Sequence, residues 1–270
     1  MTSRISIFFV LCFFFSSLGL AQETVSQAPT EEEIAEDWLE NYYKDPSPDR
    51  FVKEVKAWAE DGTLDNPDAR PALIAFLSQV IRANRDRLAE WDQALRGLEP
   101  SHKQVINTAM LFSRTTEADE ILREQFGERY DKQKTETEKI LEMPLDAEPT
   151  LHMLWGFYYA TGSANAIRRL VLCFRFVDAP YDPGGVAIPN GYMPYYKMLP
   201  LFAYESLVAN AERHPRVVEI LKTLHEKDES LLPLEKEGVY DVLSEILPEQ
   251  FPPVKREGAT AKNPSGAPEE

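Results

Sequence analysis

This chain is short of cysteine and of positive charge, and it shows no sign of strands. Its 270 residues hold 2 Cys, and 29 Lys and Arg stand against 45 Asp and Glu. Two cysteines exclude a disulfide-stapled scaffold and a cysteine-built zinc cluster. A formal net charge of −16 argues against nucleic-acid binding, which needs a basic footprint to displace counterions from phosphates. No stretch alternates apolar and polar residues with a period of two, and β-branched runs are missing, so strands are not expected. What the chain does have is 43% apolar residues, enough to build a core.

Residues 1–21 read as an export signal. Arg4 precedes a mainly apolar run from Ile5 to Phe15, Ser16 and Ser17 follow, and Gly19 and Ala21 stand at the −3 and −1 positions of a signal-peptidase site. Cleavage is therefore expected between Ala21 and Gln22. The alternative is an uncleaved anchor, but Ile5 to Ala21 is at the short limit for a membrane span and contains serine and glycine. Lipidation of Cys12 is discounted, because Leu11 precedes it where a lipoprotein signal wants Gly or Ala. The expected location is the periplasm or the extracellular space, with no membrane span after cleavage. Cleavage leaves one thiol, Cys173, beside Leu170 and Phe174 in a helical pattern. That setting suits a small buried hydrophobe, the alternatives being an intermolecular disulfide or a reactive thiol.

Residues 22–29 form a polar linker, residues 30–250 a single all-helical domain and residues 251–270 a disordered tail rich in Pro, Gly, Ala and charge. Thr30 and Glu33 make a capping box. Pro48 opens a helix whose inner face is Phe51, Val55 and Trp58. Leu73, Ile74, Leu77, Val80 and Ile81 share one face of the next. Asn84 is expected to cap a helix carrying Leu88, Trp91, Leu95 and Leu98, and Ser101 with Gln104 to form a second capping box. Thr116 opens a helix with Ile121, Leu122 and Phe126. Residues 128–139 are almost wholly polar, either an exposed helix or a connecting arm. Further helical patterns run through Leu151, Leu154, Trp155 and Tyr158, through Ile167, Leu170 and Phe174, and over Leu201–Asn210, Val217–Leu224 and Val239–Leu247. The expected fold is all-α, with antiparallel helical hairpins stacked as an irregular α-solenoid-like array.

Trp155-Gly156-Phe157-Tyr158-Tyr159-Ala160-Thr161-Gly162, with Ala166 beyond it, resembles the first helix and turn of a tetratricopeptide-type hairpin, where small residues permit close helix contact and aromatics fill the groove. The same stretch, together with Tyr42-Tyr43-Lys44-Asp45-Pro46-Ser47-Pro48, resembles a group of exported bacterial proteins of unknown function. That resemblance implies export and an all-helical fold. It carries no activity, ligand or catalytic residue.

The search for chemistry turns up no constellation. The four histidines, His102, His152, His214 and His225, lack H-E-x-x-H spacing; His225 precedes Glu226, but position 229 is Glu. His152 is expected to be structural. Phosphate-binding glycine loops and G-x-S-x-G elbows are missing. The stretch from Asp61 to Asp68 fails as a calcium loop, with Gly62 at the second position and Ala72 at the twelfth. No catalytic residue, metal or cofactor is assigned.

Charge and aromatics are nevertheless uneven. Residues 151–210 carry only seven charges, against 45 in residues 22–150, yet hold 12 of the 24 aromatics beyond residue 21. Trp155, Tyr158, Tyr159 and Phe174 fall on helical faces and suit a core. Tyr181, Tyr192, Tyr195 and Tyr196 fall in or beside the long Pro/Gly-rich stretch from Asp178 to Pro194; connections of that length are commonly functional or disordered, and four Tyr with Pro and Gly favour an ordered binding loop. Tyrosine also favours interfaces, having a rigid apolar ring and a polar tip. The sequence therefore points to a protein or peptide partner, contacted by Tyr181, Asp182, Tyr192, Tyr195, Tyr196 and Lys197. The alternative is an envelope enzyme or small-ligand receptor with a pocket between helical hairpins.

Overall fold

The computed structural model describes residues 38–179 and 195–254. The expected signal, its cleavage site, the linker and the Thr30–Glu33 box lie outside the described residues. The described residues are all-α, with twelve α-helices joined by short turns and no strand. Two compact units divide the chain, Met1–Leu170 and Val171–Glu270.

In the first unit, α1 (Trp38–Asn41) and α2 (Phe51–Glu60) lead to α3 (Arg70–Ala83). Then follow α4 (Leu88–Ala94), α5 (Pro100–Ser113), α6 (Thr116–Phe126), α7 (Glu128–Glu136), α8 (Glu148–Thr161) and α9 (Ala164–Val171), whose last residue crosses into the second unit. The apolar spacing read from the sequence is largely the buried face: Phe51, Val55 and Trp58 on α2, and Leu73, Leu77, Val80 and Ile81 on α3, are buried, while Ile74, expected on the same face, is only half-buried. α3 also buries Ala72, Ala75, Phe76, Ser78 and Gln79, so it is enclosed nearly all round. The reason is that it packs against both α5 and α8. Gly156 of α8 makes the closest of these approaches, for a Cβ there would stand 2.0 Å from the Ala72 carbonyl oxygen. Backbone meets backbone at this crossing, which only glycine permits. Gly162, at φ 61°, ends α8 in the left-handed conformation, its N–H bonded to the Tyr158 carbonyl at 2.7 Å.

Aromatic rings fill the space around α3. Trp38 lies 5.0 Å from Phe76, 5.5 Å from Tyr42 and 5.7 Å from Trp58, centroid to centroid. The Trp38 indole N–H donates to the Ser47 carbonyl, so burial leaves its polar atom satisfied. Phe51 stacks on Trp91 at 4.1 Å, and the Arg87 guanidinium covers Trp91 at 5.3 Å while pairing with Asp49 at 2.7 Å.

Two expected caps are corrected. Asn84 makes no side-chain cap; its amide donates to the Val80 carbonyl at 2.8 Å and so closes α3 instead of opening the next helix. Ser101 and Gln104 form no capping box, because α5 begins two residues earlier than that box requires, with Pro100 at its first position and Glu99 before it. Thr115 does cap α6, accepting from the Ala118 N–H at 3.2 Å.

The polar stretch at 128–139 is a helix, α7, over most of its length. Tyr130 is its buried residue, and its hydroxyl donates to Asp119 of α6, which also pairs with Lys134. Arg123 and Asp131 complete the link at 2.8 Å. A helix with almost no apolar face is thus held by a charged network. Burial and the neighbouring Asp119 carboxylate hold the Tyr130 hydroxyl well above the usual tyrosine range.

In the second unit, the single-turn 3-10 segment Leu172–Phe176 packs on α10 (Leu199–Arg213) and α12 (Pro233–Ile246), and both helices pack on α11 (Pro215–Lys227). Cys173 is fully buried, as its apolar neighbours indicated. Phe251 packs against the rings of His225 and Tyr240, and Tyr240 donates to the Pro252 carbonyl at 2.8 Å. The first residues of the expected tail are therefore tied down, and those beyond 254 lie outside the described residues.

Candidate functional site

Of the six residues singled out for partner contact, Tyr181, Asp182 and Tyr192 lie outside the described residues. Tyr195, Tyr196 and Lys197 form a 3-10 turn that runs into α10. The Met198 N–H bonds to the Tyr195 carbonyl at 2.8 Å and the Phe202 N–H to the Met198 carbonyl at 3.1 Å, so the turn and the helix are continuous.

Two ring pairs, joined only through the adjacent residues Tyr195 and Tyr196, form an aromatic ridge in this part of the second unit. Phe176 lies 6.2 Å from Tyr196, and Tyr195 lies 6.0 Å from Phe202. Phe176 stands at the end of the Leu172–Phe176 turn, while the other three come from the start of α10 and the turn before it. Backbone bonds hold the Phe176 side, the Val177 N–H to the Phe174 carbonyl and the Ala179 N–H to the Phe176 carbonyl, each at 3.2 Å.

The ridge is not a core. Val177 is 54% exposed, Leu201 47% and Tyr195 41%, and each is one of these rings or its neighbour in sequence. α10 turns Leu199, Pro200, Ala203, Leu207, Asn210 and Ala211 inward, and that helical spacing leaves Leu201 outside. An exposed apolar patch on a folded protein commonly marks an interaction site. Phe176, Val177, Leu201 and Phe202 were not picked out from the sequence. Their signal is there: Leu201 falls off the inward stripe, but that stripe is known only once the helix bounds are known.

The charges here are distinct. Arg175 is bound to buried Glu235 and is not available at the ridge in the way Lys197 is. Asp178 and Glu205 are exposed. Tyr204 lies further along α10; burial raises its hydroxyl pKa, and the carboxylates of Glu245 and Asp241 on α12 push it the same way.

The histidines and the acidic loop are engaged in packing. His152 Nδ1 contacts the Asp68 carbonyl oxygen at 3.0 Å, and His102 Nε2 contacts Asp65 at 3.0 Å. Asp61 accepts the Thr63 N–H, and Arg70 donates to the Leu64 carbonyl. The loop between α2 and α3 is thus clasped to α5 and α8 by two histidines. Among the described residues no group of three or more His, Cys, Asp or Glu is placed to hold a metal ion, and no helix is long and apolar enough to cross a membrane.

Compared with known proteins, the chain matches no family model, no curated protein and no solved structure.

Proposed function

We propose that this chain is an exported helical scaffold that docks a protein or peptide partner on the ridge Phe176–Tyr196–Tyr195–Phe202. In this reading Tyr195, Tyr196 and Lys197 are contacts and not catalysts, and Tyr181, Asp182 and Tyr192 are further candidate contacts. The observation that carries the proposal is the two ring pairs, Phe176 with Tyr196 and Tyr195 with Phe202, with Val177 and Leu201 exposed next to them in sequence. Aromatic residues are favoured at interfaces because they contribute a large contact area for little loss of conformational freedom. The resemblance of residues 155–162 to a tetratricopeptide-type hairpin, and of the chain to exported bacterial proteins, supports the class and the address. Cleavage after Ala21 would leave Gln22 as the first residue.

A photo-crosslinking amino acid placed at position 201 tests the surface, with position 93, an exposed site on α4, as the control. The proposal expects discrete crosslinked species from the envelope fraction at 201 and not at 93. Identical patterns at both positions, or none at either, would overturn it. N-terminal sequencing of the exported protein tests the address, and a first residue other than Gln22 overturns the assigned cleavage.

A further inference from the structure

We infer that the ridge receives a peptide in which an aromatic or branched aliphatic side chain is followed by lysine or arginine. The peptide lies along α10 from its N-terminal end toward its C-terminal end. The inference rests on the docking reading above and names the chemistry of the partner.

The exposed stripe of α10 carries the argument. With Leu199, Ala203, Leu207 and Ala211 facing inward, Leu201, Glu205 and Glu212 are left exposed. At 3.6 residues per turn these three fall within about 40° of one another around the helix. At a rise of about 1.5 Å per residue, the two carboxylates stand about 6 Å and about 16 Å beyond Leu201. The stripe thus begins with an apolar seat, Leu201 beside the Tyr195–Phe202 ring pair, and continues as carboxylates. Asp241 and Glu245 of α12 face Tyr204 on the neighbouring flank and add to the negative field. Cations are present in the unit, with Lys197 at the apolar end and Arg213 beside Glu212. Over residues 171–179 and 195–254, however, seven basic side chains stand against twelve acidic ones.

Charge complementarity selects among occupants. A second copy of this chain would bring like charge to the stripe, at a net charge of −16 per chain, and an acidic partner would do the same. A peptide with an apolar anchor and following basic side chains satisfies both halves. The apolar seat supplies most of the affinity, and the carboxylates set direction and discriminate against wrong partners.

Selection from a phage-displayed library of random dodecapeptides on the purified protein tests this. The expected result is enrichment of sequences in which Trp, Phe, Leu or Ile precedes Lys or Arg. Leu201→Asp should abolish that enrichment, although it adds a negative charge that would strengthen purely non-specific binding of basic peptides. Glu205→Lys combined with Glu212→Lys should lower recovery of the basic class about tenfold, two exposed pairs each contributing modestly, and favour Asp and Glu at the same positions. Circular dichroism of each variant checks that the helices are intact. Peptides enriched without basic residues, yet lost with Leu201→Asp, would overturn the charge assignment and leave the ridge as the docking surface. Enrichment indifferent to Leu201→Asp, or no enrichment, would overturn both.

Discussion

Arg175 donates from Nε and Nη2 to a single carboxylate oxygen of Glu235, at 2.7 and 2.6 Å, while the other oxygen of Glu235 accepts the Leu232 N–H at 2.8 Å. Glu235 is fully buried, whereas the Arg175 side chain is 41% exposed. The pair fastens the Leu172–Phe176 turn to α12 and caps that helix with the same carboxylate. It therefore positions Phe176, the first ring of the ridge.

Removing the two partners should not cost the same. Arg175→Ala strands a fully buried carboxylate, and a loss of about 3–5 kcal/mol is expected. Glu235→Ala leaves a cation that water reaches, so about 2 kcal/mol is expected, most of it from the lost cap. The double variant Arg175→Met with Glu235→Met should recover most of the loss, because burying neither charge avoids the desolvation cost. Urea unfolding at constant pH measures all three. A double variant no more stable than Arg175→Ala would show that the charges themselves stabilise the turn.

Gly156→Ala should destabilise the first unit by about 3 kcal/mol, the upper part of the ordinary range for overpacking. The added Cβ would stand 2.0 Å from a backbone oxygen of Ala72, and a helix backbone cannot yield as a side-chain tip does. Gly97→Ala is the control, since nothing lies within 4 Å of a Cβ there. The comparison is made by denaturant midpoint, and equal midpoints for the two variants would contradict the close crossing.

That crossing also marks how far local pattern reaches. Phe51, Val55, Trp58, Leu77 and Ile81 could be assigned to a core because helical period alone fixes which face turns inward. Phe76, Ser78 and Gln79 could not, since they are buried by α3 having neighbours on more than one face. His152 and the Asp68 carbonyl, 84 residues apart, meet for the same non-local reason. The two failed caps at Asn84 and Ser101 have a smaller cause, an α-helix boundary displaced by three and by two residues, which sends the same side chains to other backbone partners. At the ridge, Tyr195 and Tyr196 were legible from composition. Phe176 and Phe202 were not, because the contacts joining them to the tyrosines bridge residues distant or offset in sequence.

Arg114 ends α5 at φ 54°, a conformation that costs a side-chain-bearing residue about 1–2 kcal/mol. It stays there while its guanidinium donates to the Thr137 carbonyl and holds the segment after α7. Arg114→Ala loses the bond and keeps the backbone cost. Arg114→Gly loses the bond and sheds that cost. The glycine variant should therefore be more stable than the alanine variant by about 1 kcal/mol, with both below the parent protein. Thermal or urea unfolding decides it, and the reverse order would place the cost elsewhere.

Tyr130 makes stability depend on alkaline pH. Its folded pKa is raised above the ordinary value of 10.0, by burial first and then by the bond to Asp119 and that carboxylate's charge. A raised pKa means the folded state holds a proton that the unfolded chain releases earlier. The contribution is fully present below pH 10 and is lost as pH rises through the folded value. Tyr130→Phe removes this loss together with the bond, at a cost of about 1.5 kcal/mol near neutral pH. Asp119 keeps Lys134 as a partner in that variant, so the α6–α7 link should weaken without opening. Urea unfolding from neutral pH to pH 11 should show the gap between parent and variant narrowing as pH rises, and a constant gap would refute the assignment. Phenolate absorbance of the folded protein gives the independent check: up to pH 11 the parent and Tyr130→Phe should release nearly the same number of phenolic protons, because Tyr130 keeps its proton in the parent.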